Sequence, residues 1–211
     1  SAQVSRAYPE VAYAVGIHPL FVAPGHREVM GALAGAAAGG AAAIGEIGLD
    51  KKAGSPDLAL QRDLFDRQLR VARDLDLPVV VHCRGAYDEL LHSVRRTGLC
   101  ARGGIIHAFS STAEVAGECI RLGFSISLGG TLTYRNSPRR TEVLRRAYPD
   151  YLTLETDSPD MPPVERRGAP NVPANILFNL RAAAATLGES EEAVAEATTR
   201  TARRVFNLKE D

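Results

Sequence analysis

Short apolar runs alternate with longer amphipathic segments along most of the chain. The runs lie at 12–15, 41–47, 77–81, 103–106, 124–128 and 152–154. Between them, apolar side chains recur three and four positions apart, which is the spacing of one face of an α-helix. The pattern predicts six β-strands that alternate with helices, and this order is typical of a parallel α/β fold.

The clearest helix is predicted over 58–75, where Phe65, Leu69 and Ala72 form an apolar stripe. Ser55 or Asp57 is expected to cap its start, because both side chains offer an oxygen to the first free backbone amides. Six further helices are predicted: 25–38, 86–96, 112–122, 137–147, 174–187 and 190–206. In the last of these the buried stripe is expected to consist of Val194, Ala197, Thr201 and Val205.

Four of the apolar runs finish on or near a residue of a metal-ligand type: Glu46, His82, His107 and Asp157. A (β/α)8 barrel builds its site from the carboxyl ends of several strands, whereas an open doubly wound sheet concentrates it at one switch point. Because the four residues are spread along the chain, we favour the barrel. Six strands in 211 residues compare with eight strands in roughly 250 residues. We therefore expect a single domain over 1–211 with about six of the eight β/α units.

Imidazoles combined with carboxylates suit Zn, Mn, Fe or Mg in a hydrolytic site. The residues Glu46, His82, His107 and Asp157 are therefore predicted to form one metal site, and a carboxylate in it can bridge two cations. Each residue taken alone also has a structural interpretation. Either His can bond to backbone at a strand end, and the Asp can cap the turn that Asp-Ser-Pro favours. The coincidence of four such endings favours the metal site.

Three other residues are candidates for substrate binding. Arg84 lies two positions past His82 and so points to the same side of an extended chain, where it can bind an anionic oxygen or form a salt bridge. His18 can bind substrate or simply end its strand. Ser110 can present its hydroxyl to a phosphate, although capping of the following helix is an equal alternative.

Composition narrows the possible functions. The 25 basic and 25 acidic residues cancel, so electrostatic steering of the whole molecule to nucleic acid or to a membrane surface is not indicated. The three cysteines include no Cys-x-x-Cys spacing, which fits a reducing cytoplasm better than a disulfide framework. No apolar stretch reaches the roughly 20 residues that span a bilayer. No G-x-S-x-G elbow, phosphate-binding P-loop or dinucleotide fingerprint is present. We expect no membrane contact and no obligate protein partner.

Five segments appear in a fixed order: GIHP, GEIGLD, LPVVVHCR, IIHAFS and LETDSPDMP. In this order and spacing they resemble the TatD family of metal-dependent deoxyribonucleases, over about 8–208. The resemblance implies a TIM barrel of the amidohydrolase-like metal hydrolase superfamily. It also implies two divalent cations (Mg, Mn or Zn) and hydrolysis of phosphodiester bonds in DNA by an activated water.

The resemblance assigns a role to each matching residue. Glu46 matches the carboxylate that bridges the two metals, and His82 and His107 match ligands of one of them. Asp157 matches a ligand of the other metal, close to the nucleophilic water, so Glu46 and Asp157 are the predicted catalytic residues. His18 and Arg84 match positions near the substrate phosphate.

The sequence departs from the family in one respect. The family opens with a strand that carries a His-x-His pair, and no such pair exists here. The six predicted strands correspond to the third to eighth of the barrel, so the first two units are expected to be missing from the sequence or truly absent from the protein. Two other functions therefore stay open. One is a metal-dependent amidohydrolase or esterase acting on a small molecule or an aminoacyl ester, and the other is a barrel remnant without catalytic activity.

Overall fold

A computed structural model describes residues 2–8, 10–134 and 137–208. The strands are β1 Ala14–Val15, β2 Ala43–Asp50, β3 Val79–Arg84, β4 Gly104–Ile106, β5 Phe124–Leu128 and β6 Leu152–Leu154. The helices are α1 Ala2–Ala7, α2 Met30–Ala38, α3 Leu58–Asp74, α4 Tyr87–Thr97, α5 Ala113–Arg121, α6 Pro138–Ala147, α7 Ile176–Leu187 and α8 Glu191–Phe206. All six predicted strands are present, and the predicted alternation with helices is confirmed.

The described residues fall into two compact units. The first comprises residues up to 105 together with 205–207, and the second comprises 106–204 together with Leu208. The single domain over 1–211 stays a prediction. No helix among the described residues has the length and apolar character that crossing a membrane requires.

Three parallel strands organise the first unit. β1 pairs with β2, and β2 pairs with β3, with Gly48 opposite His82 and Asp50 opposite Arg84. The register of β2 against β3 shifts between Ile44 and Ile47. This irregularity inserts one extra residue on β2 between Ile44 and Ile47, the segment that contains Glu46. Bulges of this kind re-aim a side chain beside a functional site.

Strand β2 is longer than the sequence predicts. The prediction ended at Ile47, but pairing continues to Asp50, and Leu49 and Asp50 are both buried. In the sequence, the glycine at position 48 indicates the end of a strand. In the structure its φ is +141°, and an added Cβ would lie 1.9 Å from the carbonyl oxygen of His82. The close approach of two strands explains this glycine, and Glu46 consequently lies within the strand rather than at its end.

Strand β3 also extends past its predicted end, from 81 to Arg84, so that His82 lies within the strand. Helix α3 covers this part of the first unit as predicted. Its side chains Phe65, Leu69 and Ala72 are buried, and burying one large apolar side chain contributes roughly 1.5–3 kcal/mol. Asp57 caps the helix by accepting a hydrogen bond from the Leu60 amide at 3.0 Å.

The second unit contains the parallel pair of β5 and β6, with Ser127 opposite Thr153. Helix α6 begins as its sequence predicts, because Ser137 caps it and Pro138 occupies the first turn. The apolar stripe predicted for α8 is confirmed, since all four of its members are buried: Val194, Ala197, Thr201 and Val205.

Candidate metal centre

A cluster of two imidazoles and one carboxylate lies in the first unit. One ligand atom each from His18, Glu46 and His82 falls within 4.8 Å of the others. Glu46 Oε1 lies 3.2 Å from His82 Nδ1 and 3.5 Å from His18 Nε2. The bulge in β2, the end of β1 and strand β3 together bring these three side chains into one place.

His82 contacts a carboxylate through each of its two ring nitrogens. Nδ1 faces Glu46, and Nε2 lies 2.9 Å from Asp50 Oδ2. Burial on its own would lower the pKa of His82, but the hydrogen bonds to the two carboxylates and their negative charges outweigh burial, so the pKa is raised. The imidazole of His82 is therefore a stronger base than a free imidazole, and both of its neighbours orient it.

Asp50 contacts His82 and is not among the site residues that the sequence predicts. It is 2% exposed, and burial by itself would raise the pKa of its carboxyl. The hydrogen bonds from the Lys52 amide and His82, with the charges of His82 and Arg84, lower that pKa below its ordinary value. The GEIGLD segment contained a signal, because an acid that ends a buried strand needs a partner.

Two glutamines of helix α3 hold the backbone beside these residues. The buried Gln61 side chain accepts from the Asp50 amide at 2.8 Å and donates to the Asp50 and Pro56 carbonyls at 3.0 and 2.7 Å. Gln68, seven residues later on the same helix face, accepts from the Ile17 amide at 2.7 Å and donates to the Ile17 carbonyl at 3.2 Å. The helix thus positions the chain at both Asp50 and the neighbour of His18.

The hydrogen bonding of His18 indicates which nitrogen carries its proton. Nδ1 accepts a hydrogen bond from the Leu20 amide at 3.2 Å and caps the short helical turn that follows. A neutral imidazole with an accepting Nδ1 carries its proton on Nε2, which faces Glu46. In this tautomer His18 Nε2 is a donor directed at Glu46, and contact of His18 with a substrate stays a prediction. Ligation of a cation through Nε2 would require the other tautomer and the loss of this cap.

Arg84 lies at the end of β3 with an exposed side chain. It is opposite Asp50 in the strand register, and its charge is one cause of the lowered pKa of that carboxyl. Contact between Arg84 and an anionic substrate stays a prediction.

A second cluster lies in the second unit and is centred on Glu155. Its carboxylate accepts from the Ala108 amide at 2.8 Å and from the Ser127 hydroxyl at 2.5 Å, and it lies 3.1 Å from His107 Nδ1. His107 Nε2 faces Asp157 Oδ1 at 3.9 Å. The sequence analysis chose Asp157 and missed Glu155, although Glu155 directly follows the apolar run of β6. Glu155 orients His107 so that Nε2 stays directed at Asp157.

The structure arranges the predicted site residues as follows. In the first unit Glu46 contacts His82, and His18 lies beside both of them. In the second unit the side chains of His107 and Asp157 face each other. Their division between two metals, and the role of Ser110, stay predictions. Ser110 is exposed and lines a small cavity of the second unit.

The first cluster has donors that fit a divalent cation. Imidazole nitrogen and carboxylate oxygen are the ligands that zinc and manganese take in hydrolytic sites. Glu46 and His82 are the residues that would hold the ion. Asp50 would then fix the orientation of His82, as carboxylates commonly do for an imidazole ligand.

The chain is similar in sequence to proteins described as metal-dependent hydrolases. The chain is 34% identical over 166 residues to the uncharacterized metal-dependent hydrolase YabD of Bacillus subtilis, covering 79% of this chain and 65% of that protein. It is 34% identical over 199 residues to the uncharacterized metal-dependent hydrolase YcfH of Escherichia coli, covering 94% and 74%. The chain thus spans about two thirds to three quarters of the length of these relatives.

Solved structures agree with the fold. The TatD homologue YjjV of E. coli superposes with a TM-score of 0.89 at 30% identity, over 98% of this chain and 81% of that one. A TatD-family hydrolase of Entamoeba histolytica shares the fold at 18% identity with a TM-score of 0.79, over 97% of this chain and 79% of that one. The predicted α/β TIM-barrel class of the amidohydrolase-like hydrolases is confirmed. Since the model of the TatD-related DNase family matches residues 1–207, the chain belongs to that family.

Proposed function

We propose that this protein is a divalent-metal-dependent hydrolase that cleaves phosphodiester bonds in DNA. The observation that carries the proposal is the arrangement of Glu46 Oε1 at 3.2 Å from His82 Nδ1, with Asp50 on the other ring nitrogen, in a chain that belongs to a DNase-related family. Membership of this family favours a phosphodiester over a carboxylic ester or an amide.

Each residue of the site has its own role in the proposed hydrolysis. Glu46 and His82 would hold a cation, and the resemblance adds His107 and Asp157 as further ligands. A bound divalent cation supplies Lewis-acid polarisation of a phosphoryl oxygen. His18 Nε2, which faces Glu46, would donate its proton to an oxygen of the substrate, and the guanidinium of Arg84 offers a charged fork that matches a phosphate.

The proposal is tested by incubating the protein with end-labelled single-stranded DNA and Mg²⁺, Mn²⁺ or Zn²⁺ in turn. We expect nucleotides to be released with at least one cation and the release to stop when EDTA is added. If none of the three cations supports release, the nuclease proposal fails. Turnover of a carboxylic ester or an amide in its place would favour the small-molecule hydrolase.

The affinity for a cation should rise with pH because a ligating imidazole must be deprotonated. The raised pKa of His82 means that protonated His82 stabilises the cation-free fold below its ordinary pKa of 6.5, and that this contribution is lost as the pH rises through the raised value. The affinity for a cation has the opposite dependence on pH, since it increases as His82 loses its proton. We expect Mn²⁺ to raise the Tm by more at about pH 8 than at about pH 6.

His92→Asn is the matched control, because His92 is exposed on α4 and is not a member of the cluster of His18, Glu46 and His82. This variant should keep the pH dependence of the Mn²⁺-induced shift in Tm. A shift that is equal at both pH values in the unaltered protein would contradict the ligand role of His82.

A further inference from the structure

A small cavity of the second unit contains basic and hydroxyl side chains that the proposed chemistry does not use. It has a volume of about 120 Å³, and its polar side chains are those of Ser110, Ser111, Thr131, Arg139 and Arg140. Water occupies about 30 Å³ in the liquid, so the cavity has room for a tetrahedral oxyanion. None of the described residues that line it is acidic.

The cavity is built from the loops that follow the strands. Ser110 lies in the loop after Ile106, Thr131 in the loop after β5 and Met161 in the loop after β6. Loops at the carboxyl ends of parallel strands form the functional face of this fold class. The cavity is also linked to the second cluster, because Ala108 lines it and donates its amide to Glu155 Oε1 at 2.8 Å.

The charge of the cavity is positive. Arg139 and Arg140 lie in the first turn of the ten-residue helix α6, whose amino end carries partial positive charge. Arg139 is exposed and forms no ion pair with any carboxylate in the described part of the chain. Two guanidinium groups and three hydroxyls around a cavity of this size are complementary to a phosphate group.

We propose that this cavity, which is linked through Ala108 to the cluster of His107, Glu155 and Asp157, binds a second phosphate of a DNA strand in addition to the phosphate that is hydrolysed. The inference rests on the proposed function, and it specifies that the substrate has at least two phosphates. A substrate with two or more phosphates gains a contact that a single phosphodiester cannot make. The cavity therefore selects polynucleotides over small phosphodiesters.

The test compares a thymidine dinucleotide, which has one phosphodiester, with a trinucleotide, which has two. Both carry a fluorophore on a terminal base, and binding is measured by anisotropy in EDTA so that no cleavage occurs. We expect the trinucleotide to bind about tenfold more tightly, which is the effect of a charge-assisted hydrogen bond. In the Arg139→Gln variant the ratio of the dinucleotide Kd to the trinucleotide Kd should fall to about threefold or less. Arg145→Gln, an equal loss of charge on an exposed residue in the last turn of α6, should keep the ratio.

Two results would overturn the proposal. One is a trinucleotide that binds no better than the dinucleotide to the unaltered protein. The other is an equal decrease of the ratio in both variants, because this would reflect only net charge. Hydrolysis is measured separately on the same oligonucleotides with Mn²⁺. If neither is cleaved, the proposed nuclease activity fails, whereas the binding ratio still decides whether the cavity accepts a phosphate.

Discussion

Replacing Glu46 by Gln is expected to abolish cation binding and hydrolysis together. The carboxylate of Glu46 lies within reach of both His82 Nδ1 and His18 Nε2, so it is the central anionic donor of the cluster. A neutral amide of the same shape keeps the packing but supplies no charge to a divalent cation. Loss of a supporting residue around a metal typically costs 10–100-fold in metal affinity, and a direct ligand should cost more than about 100-fold.

The effect is measured by titrating Mn²⁺ calorimetrically and by assaying DNA hydrolysis in the same preparations. Glu28→Gln is the matched control, because it removes one carboxylate from an exposed position of the first unit, and it should bind Mn²⁺ like the unaltered protein. The Glu46→Gln variant should still fold, as judged by its circular dichroism. If Glu46→Gln bound Mn²⁺ with unchanged affinity, Glu46 would not be a ligand.

Replacing Gly48 by Ala is expected to disrupt the first unit. An added Cβ would lie 1.9 Å from the His82 carbonyl oxygen, and the φ of +141° is unfavourable for any residue with a Cβ. Overpacking costs about 1–3 kcal/mol and a strained backbone conformation about as much again. The expected loss of roughly 2–6 kcal/mol compares with a total stability of about 5–15 kcal/mol for a typical domain.

Urea denaturation of the purified variant measures this loss as a lower midpoint. Gly35→Ala is the matched control, because Gly35 lies in helix α2 with no atom within 4 Å of an added Cβ. Alanine favours helix by about 1 kcal/mol over glycine, so this variant should be equal to or slightly more stable than the unaltered protein. An unchanged midpoint for Gly48→Ala would show that β2 and β3 do not approach as closely as described.

The order of strands and helices could be predicted because it depends on local hydrophobic patterns. Helix α3 is a clear example, since its stripe, its cap at Asp57 and its length all follow from nearest-neighbour spacing. The end of β2 could not be predicted in the same way. Gly48 usually indicates a break in a strand, and only the distance to the backbone of His82 reveals that the glycine allows close pairing.

The candidate site was predictable in its residue types but less so in its partners. Glu46 and His82 stand out because polar residues follow apolar runs, and the structure brings them to within hydrogen-bond distance of each other. Asp50 and Glu155 were missed because their role depends on contacts with residues 32 and 48 positions away, His82 and His107 respectively. A sequence pattern with a period of two or four carries no information on such contacts.

The most direct test of the central claim is a crystal structure of the protein soaked in Mn²⁺, with anomalous diffraction recorded above the manganese absorption edge. The account predicts an anomalous peak within direct coordination distance of a carboxylate oxygen of Glu46 and of Nδ1 of His82, with Asp50 still bonded to the other nitrogen of that ring. A peak remote from Glu46 and His82, or no peak at a saturating concentration of Mn²⁺, would contradict it.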